Sequence, residues 1–280
     1  MPEPWRTIHD ETGLWSFGLY GDRDAGRVVV LLPAMGTPAR YYQPLLREWL
    51  AEGTAVVQAD FIASDARLNR RPVPGRAGFA ALVEDCVRAV LESAGDSFPG
   101  AVPVIVGHSL GGQLGLIAAG RFAPEIPVIL VASGALGHRD FPGGRRWQML
   151  AGALAMGPVC RAVGYWPGDR LGVGGRQPAA LVLDWARAIR TGRYRARTGS
   201  FDYESALGEY RGEVRVITMD GDLFAPPTAT EALLAKTSAA RITRQSYSPL
   251  RGPAKPGPHF TWIKDQPDIA RRILDVSEPA

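Results

Sequence analysis

A serine flanked by glycines is the clearest candidate for chemistry in this sequence of 280 residues. Ser109 lies in the run GHSLGG, directly after the apolar stretch Val102–Val106 and before a helical pattern from Gln113 to Phe122. On a sharp strand-to-helix turn a serine projects its hydroxyl above the sheet, and its neighbours must be small because the turn is crowded. The first amide groups of the helix stabilise developing negative charge. The pattern predicts a serine nucleophile; the alternative is a glycine-rich turn with a capping serine.

A nucleophilic serine needs a base, and the chain has four histidines. His9 lies in a polar N-terminal segment, His108 sits inside the turn beside Ser109, and His138 is placed to line the mouth of a site. His259 lies in the run PGPHFTW, between the last predicted strand and the last predicted helix. This location, at the carboxyl edge of a sheet, favours His259 as the general base, although a lone loop histidine is more often a surface residue.

The base in turn needs an acid, and one predicted strand ends in two aspartates, Asp220 and Asp222. Asp222 follows the turn glycine and precedes an apolar run and Pro226, whereas Asp220 could cap the turn through its own side chain. We therefore favour Asp222. The order Ser109, Asp222, His259 along the chain is the order typical of this geometry.

Two amide groups are predicted to stabilise the oxyanion of an acyl-transfer reaction. One is the backbone N–H of Leu110, the residue after the nucleophile. The second should come from the loop Leu32–Gly36, which follows an apolar strand and which we call the oxyanion loop. Within that loop, the N–H of Met35 is the better candidate.

The elements that must position these residues alternate between strand-like and helix-like segments, which predicts an α/β protein with a mainly parallel sheet. The predicted strands are continuous apolar runs, as expected for strands covered on both faces. They are Trp15–Tyr20, Arg27–Leu32, Thr54–Ala59, Val102–Val106, Val128–Ala132, Val214–Met219 and Arg241–Tyr247. The predicted helices are Tyr41–Glu52, Gly78–Ser93, Leu110–Phe122, Thr228–Lys236 and Asp265–Val276. The first strand precedes any helix and is expected to pair antiparallel at one edge.

Residues 139–211 break this rhythm, because they contain no predicted strand. We interpret them as an insertion into a core domain formed by residues 1–138 and 212–280. Three short helices are expected in the insertion, namely Trp147–Met156, Pro158–Tyr165 and Pro178–Arg190. The apolar segment Trp147–Cys160 is either a lid over the serine or a helix buried against the core.

The insertion is mildly enriched in aromatic residues. Tyr165, Trp166 and Trp185 are candidates for lining a substrate pocket, and packing of the insertion against the core is the alternative role for the same side chains.

The quoted motifs resemble the α/β-hydrolase fold superfamily over nearly the whole chain. They comprise Pro33–Gly36 with Tyr41 and Tyr42, the GHSLGG turn, the segment Asp222–Pro226, and His259 with Phe260. The segment Gly164–Gly168 is similar to a group of bacterial predicted α/β-hydrolases. The resemblance implies a mainly parallel, eight-stranded type of sheet flanked by helices, with a cap inserted after the sixth strand. It also implies the roles of nucleophile, acid and base for Ser109, Asp222 and His259.

Three positions depart from the pattern of many relatives. Pro33 and Ala34 stand where His-Gly is common, the segment Asp60–Asp65 lacks glycines, and Pro258 precedes the base in place of glycine. No catalytic group is lost, but the shape of the acyl pocket is affected.

Composition excludes several classes of protein. A net charge of +4 is no nucleic-acid signature by itself, and Cys86 and Cys160 form no disulfide framework. Cys/His spacing typical of zinc is absent from the sequence, and no cofactor or metal is expected. The longest apolar run has about 14 residues and is too short for a bilayer, which takes about 20. The polar N-terminus is unlike a signal peptide, so we expect a soluble, cytoplasmic protein without stable membrane insertion.

The charge is concentrated in the insertion, where residues 139–211 hold 12 arginines against six acidic residues. A solvated helix face is the simpler interpretation. The sharper hypothesis is that this basic surface meets an acidic substrate or carrier, such as a thioester on coenzyme A or on a carrier protein.

The leading functional prediction is a serine hydrolase that cleaves a carboxylic ester or thioester through an acyl-enzyme intermediate. An acyltransferase would use the same three residues and pass the acyl group to an alcohol, amine or thiol. A non-catalytic binding protein on the same fold is a third alternative, which the complete Ser/Asp/His set disfavours.

Overall fold

The computed structural model describes residues 3–10, 14–61, 78–250 and 257–275. Eight of its strands form one sheet in the order β1-β2-β4-β3-β5-β6-β9-β10, and β7 and β8 form a separate hairpin. The strands are β1 Arg6–His9, β2 Ser16–Tyr20, β3 Arg27–Leu32, β4 Ala55–Asp60, β5 Val102–His108, β6 Val128–Val131, β7 Tyr165–Pro167, β8 Gly175–Pro178, β9 Glu213–Met219 and β10 Arg241–Tyr247. The prediction of a mainly parallel α/β sheet is confirmed, because only the pairs β1–β2 and β2–β4 are antiparallel and the other five pairs are parallel.

The sequence predicted that β2 would lie at the sheet edge, and this prediction is wrong. A further strand, β1, pairs with it, so that Arg6 lies opposite Leu19 and β2 is enclosed between β1 and β4. Three of the four β1 residues are exposed. An edge strand has one open side and tolerates polar residues, so β1 shows no apolar run that would mark it in the sequence.

Side chains of β3 alternate between two apolar layers, one on each face of the sheet. Val28, Val30 and Leu32 belong to one buried cluster, and Val29 and Leu31 belong to the other. Because both faces are covered, every position of the strand after Arg27 is apolar, which is why it appears in the sequence as a continuous apolar run.

Helices cover both faces. They are α1 Gln43–Ala51, α2 Arg88–Ser97, α3 Leu110–Phe122, α4 Arg145–Val163, α5 Gly168–Leu171, α6 Ala179–Thr191, α7 Tyr203–Glu209, α8 Pro227–Leu234, α9 Pro258–Thr261 and α10 Asp268–Leu274. A π-helical segment, Ala81–Val87, runs directly into α2, where the sequence predicted one helix over Gly78–Ser93. The last predicted helix begins later than expected, at Asp268, and Val276 lies outside the described residues.

Two expectations for residues 139–211 were wrong. The insertion contains a strand pair, because β7 and β8 form an antiparallel hairpin. The two helices expected on either side of Gly157 are one helix, α4, with Pro158 inside it. Proline lacks one N–H but has a helical φ, so packing against α6 can hold the last turns together. The helix ends where Gly164 adopts a left-handed φ of 87°.

Helix α4 shows one buried face and one exposed face. Ala153, Met156 and Cys160 are buried, whereas Trp147 and Leu154 are 59% and 56% exposed. The segment Trp147–Cys160 is therefore only half buried. That residues 139–211 act as a cap domain over the site stays a prediction.

Two buried carboxylates join the insertion to the core. Glu84, in the π-helical segment, accepts hydrogen bonds from the backbone N–H of Ser200 at 3.0 Å and from the Tyr203 hydroxyl at 2.9 Å. Asp184, on α6, accepts one from the backbone N–H of Phe79 at 3.0 Å. Burial raises the pKa of the Asp184 carboxyl to about 6. These contacts orient the insertion against the sheet.

Both cysteines are free and buried. Among the described residues, no helix combines the length and apolar character needed to cross a bilayer. Within the same ranges, no group of three or more His, Cys, Asp or Glu side chains is arranged to hold a metal ion.

Candidate active site

Ser109 occupies a strained turn between β5 and α3. Its backbone has φ 52° and ψ −115°, and in the described part of the chain only Ala132 is another non-glycine residue with positive φ. Such conformations cost about 1–3 kcal/mol and persist only where the surroundings enforce them. Here the Ser109 N–H donates to the carbonyl of Val131 on the neighbouring strand at 3.0 Å, and the Ser133 hydroxyl donates to the Ser109 carbonyl at 2.8 Å.

The glycines around Ser109 are required by close backbone approach. A Cβ at Gly107 would collide with the backbone of Gly112, and a Cβ at Gly111 would collide with the carbonyl oxygen of Leu32. The first turn of α3 therefore lies directly against the oxyanion loop. This closeness explains the small residues that the sequence places on both sides of the serine.

Asp222 and His259 form a buried pair. The Nδ1 atom of His259 lies 2.7 Å from Oδ2 of Asp222, and the two residues are 3% and 4% exposed. The other carboxylate oxygen, Oδ1, accepts backbone N–H groups from Phe224 at 2.7 Å and from Ala225 at 3.2 Å. A carboxylate accepts hydrogen bonds, so it favours a proton on Nδ1 and leaves the Nε2 lone pair of His259 free to take a proton.

Asp220, the alternative acid, lies elsewhere. It is exposed, and its carboxylate accepts hydrogen bonds from the hydroxyls of Ser246 and Ser248. These bonds lower the pKa of Asp220. These two bonds hold the Asp220 carboxylate at the end of β10, whereas His259 pairs with Asp222.

Ser109 directly follows β5, at the carboxyl edge of the sheet, and the residue before it contacts His259. The imidazole of His108, the residue before Ser109, lies with its ring centre 5.1 Å from that of His259. His259 is in the single-turn helix α9, where the sequence predicted a loop. The other two histidines lie apart: His9 is on edge strand β1, and His138 bonds the carbonyl of Ile189 through Nδ1 at 3.0 Å.

The two predicted oxyanion donors are the backbone N–H groups of Leu110 and Met35. Leu110 is the first residue of α3, and Met35 follows β3 in the oxyanion loop. Neither N–H donates to another group among the residues that the structure describes. Since the first turn of α3 packs on the oxyanion loop through Gly111, these donors are held in neighbouring segments.

The predicted pocket residues lie in or near the β7–β8 hairpin. Trp166 is buried and donates its indole N–H to the carbonyl of Val173 at 2.9 Å, and Tyr165 has the Arg176 guanidinium 5.0 Å from its ring centre. Trp185, on α6, is half-buried against the apolar core. Contacts within the insertion thus account for much of these three side chains, and lining of a substrate pocket stays a prediction.

The hairpin turn does reach the oxyanion loop. A side chain at Gly36 would collide with the backbone of Gly174, and one at Gly174 would meet the Met35 sulfur at 3.0 Å. The turn between β7 and β8 therefore packs against the oxyanion loop. The first residue of α4 also lies close, because the Arg145 guanidinium is 5.3 Å from the ring centre of Phe224, which in turn is 5.2 Å from that of His259.

Sequence reasoning missed the polar partners behind the site. The Nε2 atom of His108 lies 2.9 Å from the carbonyl oxygen of His259, and its Nδ1 lies 2.8 Å from the Tyr42 hydroxyl. The Trp262 indole N–H donates to the same carbonyl at 3.0 Å. The residue types of His108, Tyr42 and Trp262 do not distinguish a functional site from a core. The only signal in the sequence was the position of Tyr41 and Tyr42 shortly after the oxyanion loop.

A cavity of about 600 Å³ lies at the opposite edge of the sheet. It is lined by the first residues of four parallel strands, Arg27, Val102, Val128 and Glu213. Ligands of open α/β sheets bind at the carboxyl ends of the strands, so this cavity is not part of the site.

The same architecture occurs in solved structures. The thioesterase domain from the curacin biosynthetic pathway is 14% identical, with 96% of this chain and 98% of that chain covered and a TM-score of 0.54. A lipase-esterase related protein from Clostridium acetobutylicum is 12% identical, with 94% and 100% covered and a TM-score of 0.59. A carboxylesterase structure from the thaumarchaeon Nitrososphaera gargenis is 13% identical, with 96% of each chain covered and a TM-score of 0.57. At these identities the likeness shows the fold.

The family is shown by a different comparison. A model of the alpha/beta hydrolase family matches residues 29–268, which include most of β3, the GHSLGG turn, Asp222 and His259. The chain belongs to the alpha/beta hydrolase family, and this membership supports hydrolase activity.

Proposed function

We propose that this protein is a serine hydrolase that cleaves a carboxylic ester or thioester through an acyl-enzyme intermediate. One observation carries the proposal: the ring of His259, which pairs with buried Asp222, lies 5.1 Å from the ring of His108, the residue before a serine with positive φ. Ser109 has a positive φ, and such backbone strain clusters at functional sites. A complete nucleophile, base and orienting acid would serve no purpose in a protein that only binds ligands.

In the first half of the reaction, His259 accepts the Ser109 hydroxyl proton on Nε2 as Oγ attacks the substrate carbonyl carbon. Asp222 orients the imidazole and stabilises its positive charge. The amide groups of Leu110 and Met35 donate hydrogen bonds to the tetrahedral oxyanion. The intermediate collapses when the bond to the leaving oxygen or sulfur breaks, and the leaving group takes the proton from His259.

In the second half, water replaces the leaving group. His259 accepts a proton from the water, whose oxygen attacks the Ser109 ester and forms a second oxyanion at the same two donors. Breakage of the bond to Oγ releases the carboxylic acid and returns the proton to Ser109. If an alcohol, amine or thiol acts in place of water, the same steps describe an acyltransferase.

Covalent labelling tests the nucleophile. We expect a fluorophosphonate probe to label the wild-type protein at the peptide containing Ser109, as measured by intact mass and peptide mass spectrometry. An activated serine attacks the phosphorus centre, whereas an ordinary hydroxyl does not react. Ser205→Ala, which removes an exposed hydroxyl on α7, should be labelled like the wild type. Labelling that survives in Ser109→Ala would overturn the assignment.

The substrate class is the finer part of the proposal, and charge supports it. The insertion carries an excess of six positive charges, and Arg193, Arg195 and Arg197 are exposed. The Arg145 guanidinium lies near His259, above the ring of Phe224. A surface of one sign attracts a ligand of the opposite sign. We propose that the acyl group arrives as a thioester on an acidic carrier, of which coenzyme A is the simplest.

A comparison of two substrates with the same acyl group, acyl-coenzyme A and an uncharged ester, distinguishes the carrier proposal from plain ester hydrolysis. For the thioester, kcat/KM should fall about tenfold in high salt or when Arg193, Arg195 and Arg197 are changed to Gln together. For the uncharged ester, neither change should matter. The matched control changes three exposed arginines outside residues 139–211, namely Arg23, Arg47 and Arg271. Equal effects of both triple variants, or none, would refute the carrier proposal while leaving the hydrolase intact.

A further inference from the structure

A buried chain of hydrogen bonds connects the oxyanion loop to the backbone of His259. The backbone N–H of Ala34 lies 2.9 Å from the Tyr42 hydroxyl oxygen, which lies 2.8 Å from Nδ1 of His108. Nε2 of His108 lies 2.9 Å from the carbonyl oxygen of His259. Tyr42 and His108 are completely buried, at 0% and 1% exposure, so water does not compete for these bonds.

The direction of every bond in this chain is determined by its two ends. The carbonyl of His259 can only accept, so Nε2 of His108 carries a proton. Burial lowers the pKa of His108 well below its ordinary value, so the ring is neutral and Nδ1 presents a lone pair. The Tyr42 hydroxyl therefore donates to Nδ1, and burial raises the pKa of Tyr42, so that it keeps its proton. The same oxygen accepts the N–H of Ala34.

The ends of the chain are the two segments whose spacing matters most for acyl transfer. Ala34 directly precedes Met35, the second oxyanion donor, and the accepting carbonyl belongs to the general base itself. A parallel contact supports the link, because the neighbouring Tyr41 hydroxyl donates to the carbonyl of Phe260. The carbonyl of His259 also accepts the indole N–H of Trp262, so its backbone is held from two sides.

We propose that Tyr42 and His108 are positioning residues that hold the oxyanion loop and His259 at a fixed separation through this directed chain of hydrogen bonds. The inference rests on the proposed acyl-enzyme chemistry. Neither side chain touches the reacting atoms. Their role is to keep the Met35 donor and the imidazole aligned, and misplacing catalytic groups by about 1 Å can cost about 100-fold in rate.

Kinetics of conservative variants test this role. Tyr42→Phe removes only the hydroxyl, and we expect kcat to fall about 10- to 100-fold with KM within about threefold. His108→Gln can still donate to the His259 carbonyl and should retain more activity than His108→Leu. Adding Tyr42→Phe to His108→Leu should cause no further loss, because the chain is already broken. All rates are expressed per Ser109 labelled by fluorophosphonate, so that misfolded protein does not contribute.

The matched control is Tyr210→Phe. Tyr210 is also completely buried, but its hydroxyl donates to backbone carbonyls of Ile126 and Glu213 at the far edge of the sheet. The Tyr210→Phe variant should have a lower melting temperature than the wild type but the same kcat per labelled site. If Tyr210→Phe lowers kcat as much as Tyr42→Phe does, or if the losses of Tyr42→Phe and His108→Leu multiply, the positioning role is refuted.

Nitrogen-15 NMR of histidine gives a readout that does not depend on turnover. The chain has four histidines, and loss of one signal set in His108→Gln assigns that residue. His108 should show the Nε2–H tautomer of a neutral ring at neutral pH, because burial lowers its pKa well below the ordinary value. An Nδ1–H tautomer, or a ring protonated on both nitrogens at neutral pH, would overturn the chain of bonds. Failure of the proposed function would appear separately, as a wild-type protein that fluorophosphonate does not label.

Discussion

Ser109→Ala should reduce kcat for a chromogenic ester by a factor on the order of 10⁶, the loss measured when a catalytic serine of this kind is removed. The variant keeps the buried Asp222–His259 pair but has no atom to form the acyl bond. His259→Ala should cost a similar factor, and the double variant should lose little more, because the groups act as a unit. Steady-state kinetics with purified protein measures all three.

Stability provides the internal control for this prediction. Ser109 has φ 52°, which an alanine tolerates no better than a serine. Glycine adopts such conformations freely, so the free energy of unfolding of Ser109→Gly should exceed that of Ser109→Ala by about 1 kcal/mol. Both variants should lack turnover. Thermal denaturation of the three proteins decides this. Retained turnover in either variant, at more than a few per cent of wild type, would exclude Ser109 as the nucleophile.

Asp222→Asn is expected to lower kcat about 10⁴-fold, the cost of presenting the wrong tautomer of the base. The asparagine amide can donate to Nδ1 of His259, which then leaves the Nε2 atom protonated and unable to accept the serine proton. The backbone N–H groups of Phe224 and Ala225 still bond the remaining oxygen, so the fold should persist. The kinetics are measured with the same ester, and circular dichroism checks the fold.

Asp220→Asn is the matched variant, because it makes the same chemical change two residues away on the same turn. Asp220 is exposed and bonded to Ser246 and Ser248, so its replacement should change kcat by less than about threefold. A collapse of turnover in Asp220→Asn with normal turnover in Asp222→Asn would reverse the assignment of the acid.

Strands with two covered faces could be predicted almost to the residue, because burial on both sides favours an apolar side chain at most positions of β3, β5 and β6. Edge strand β10 was also predicted at its observed bounds, Arg241–Tyr247, but two other elements were missed. Edge strand β1 is polar and exposed, and the β7–β8 hairpin has strands of only three and four residues with glycine and proline within or next to them. Their pairing comes from backbone hydrogen bonds, which leave little trace in residue type.

The candidate site was predictable in part for the same reason. The turn around Ser109 is local, since a strand, small residues and a helix must follow one another, and short spacing in the chain records that requirement. The partners of His108 are not local: Tyr42 lies 66 residues before it and His259 lies 151 residues after it. No pattern of neighbouring residues encodes such a contact.

By itself, the amino-acid sequence determined the alternation of elements, the strained turn at Ser109, and the short set of acids and bases able to serve it. Local sterics and two-sided burial constrain residue type at those positions. Only the tertiary structure decided that Asp222 and not Asp220 pairs with His259, that Pro158 lies within one helix, and that the β7–β8 hairpin contacts the oxyanion loop. These outcomes depend on how distant segments pack against the eight-stranded sheet, and the residues beside each segment do not encode that packing.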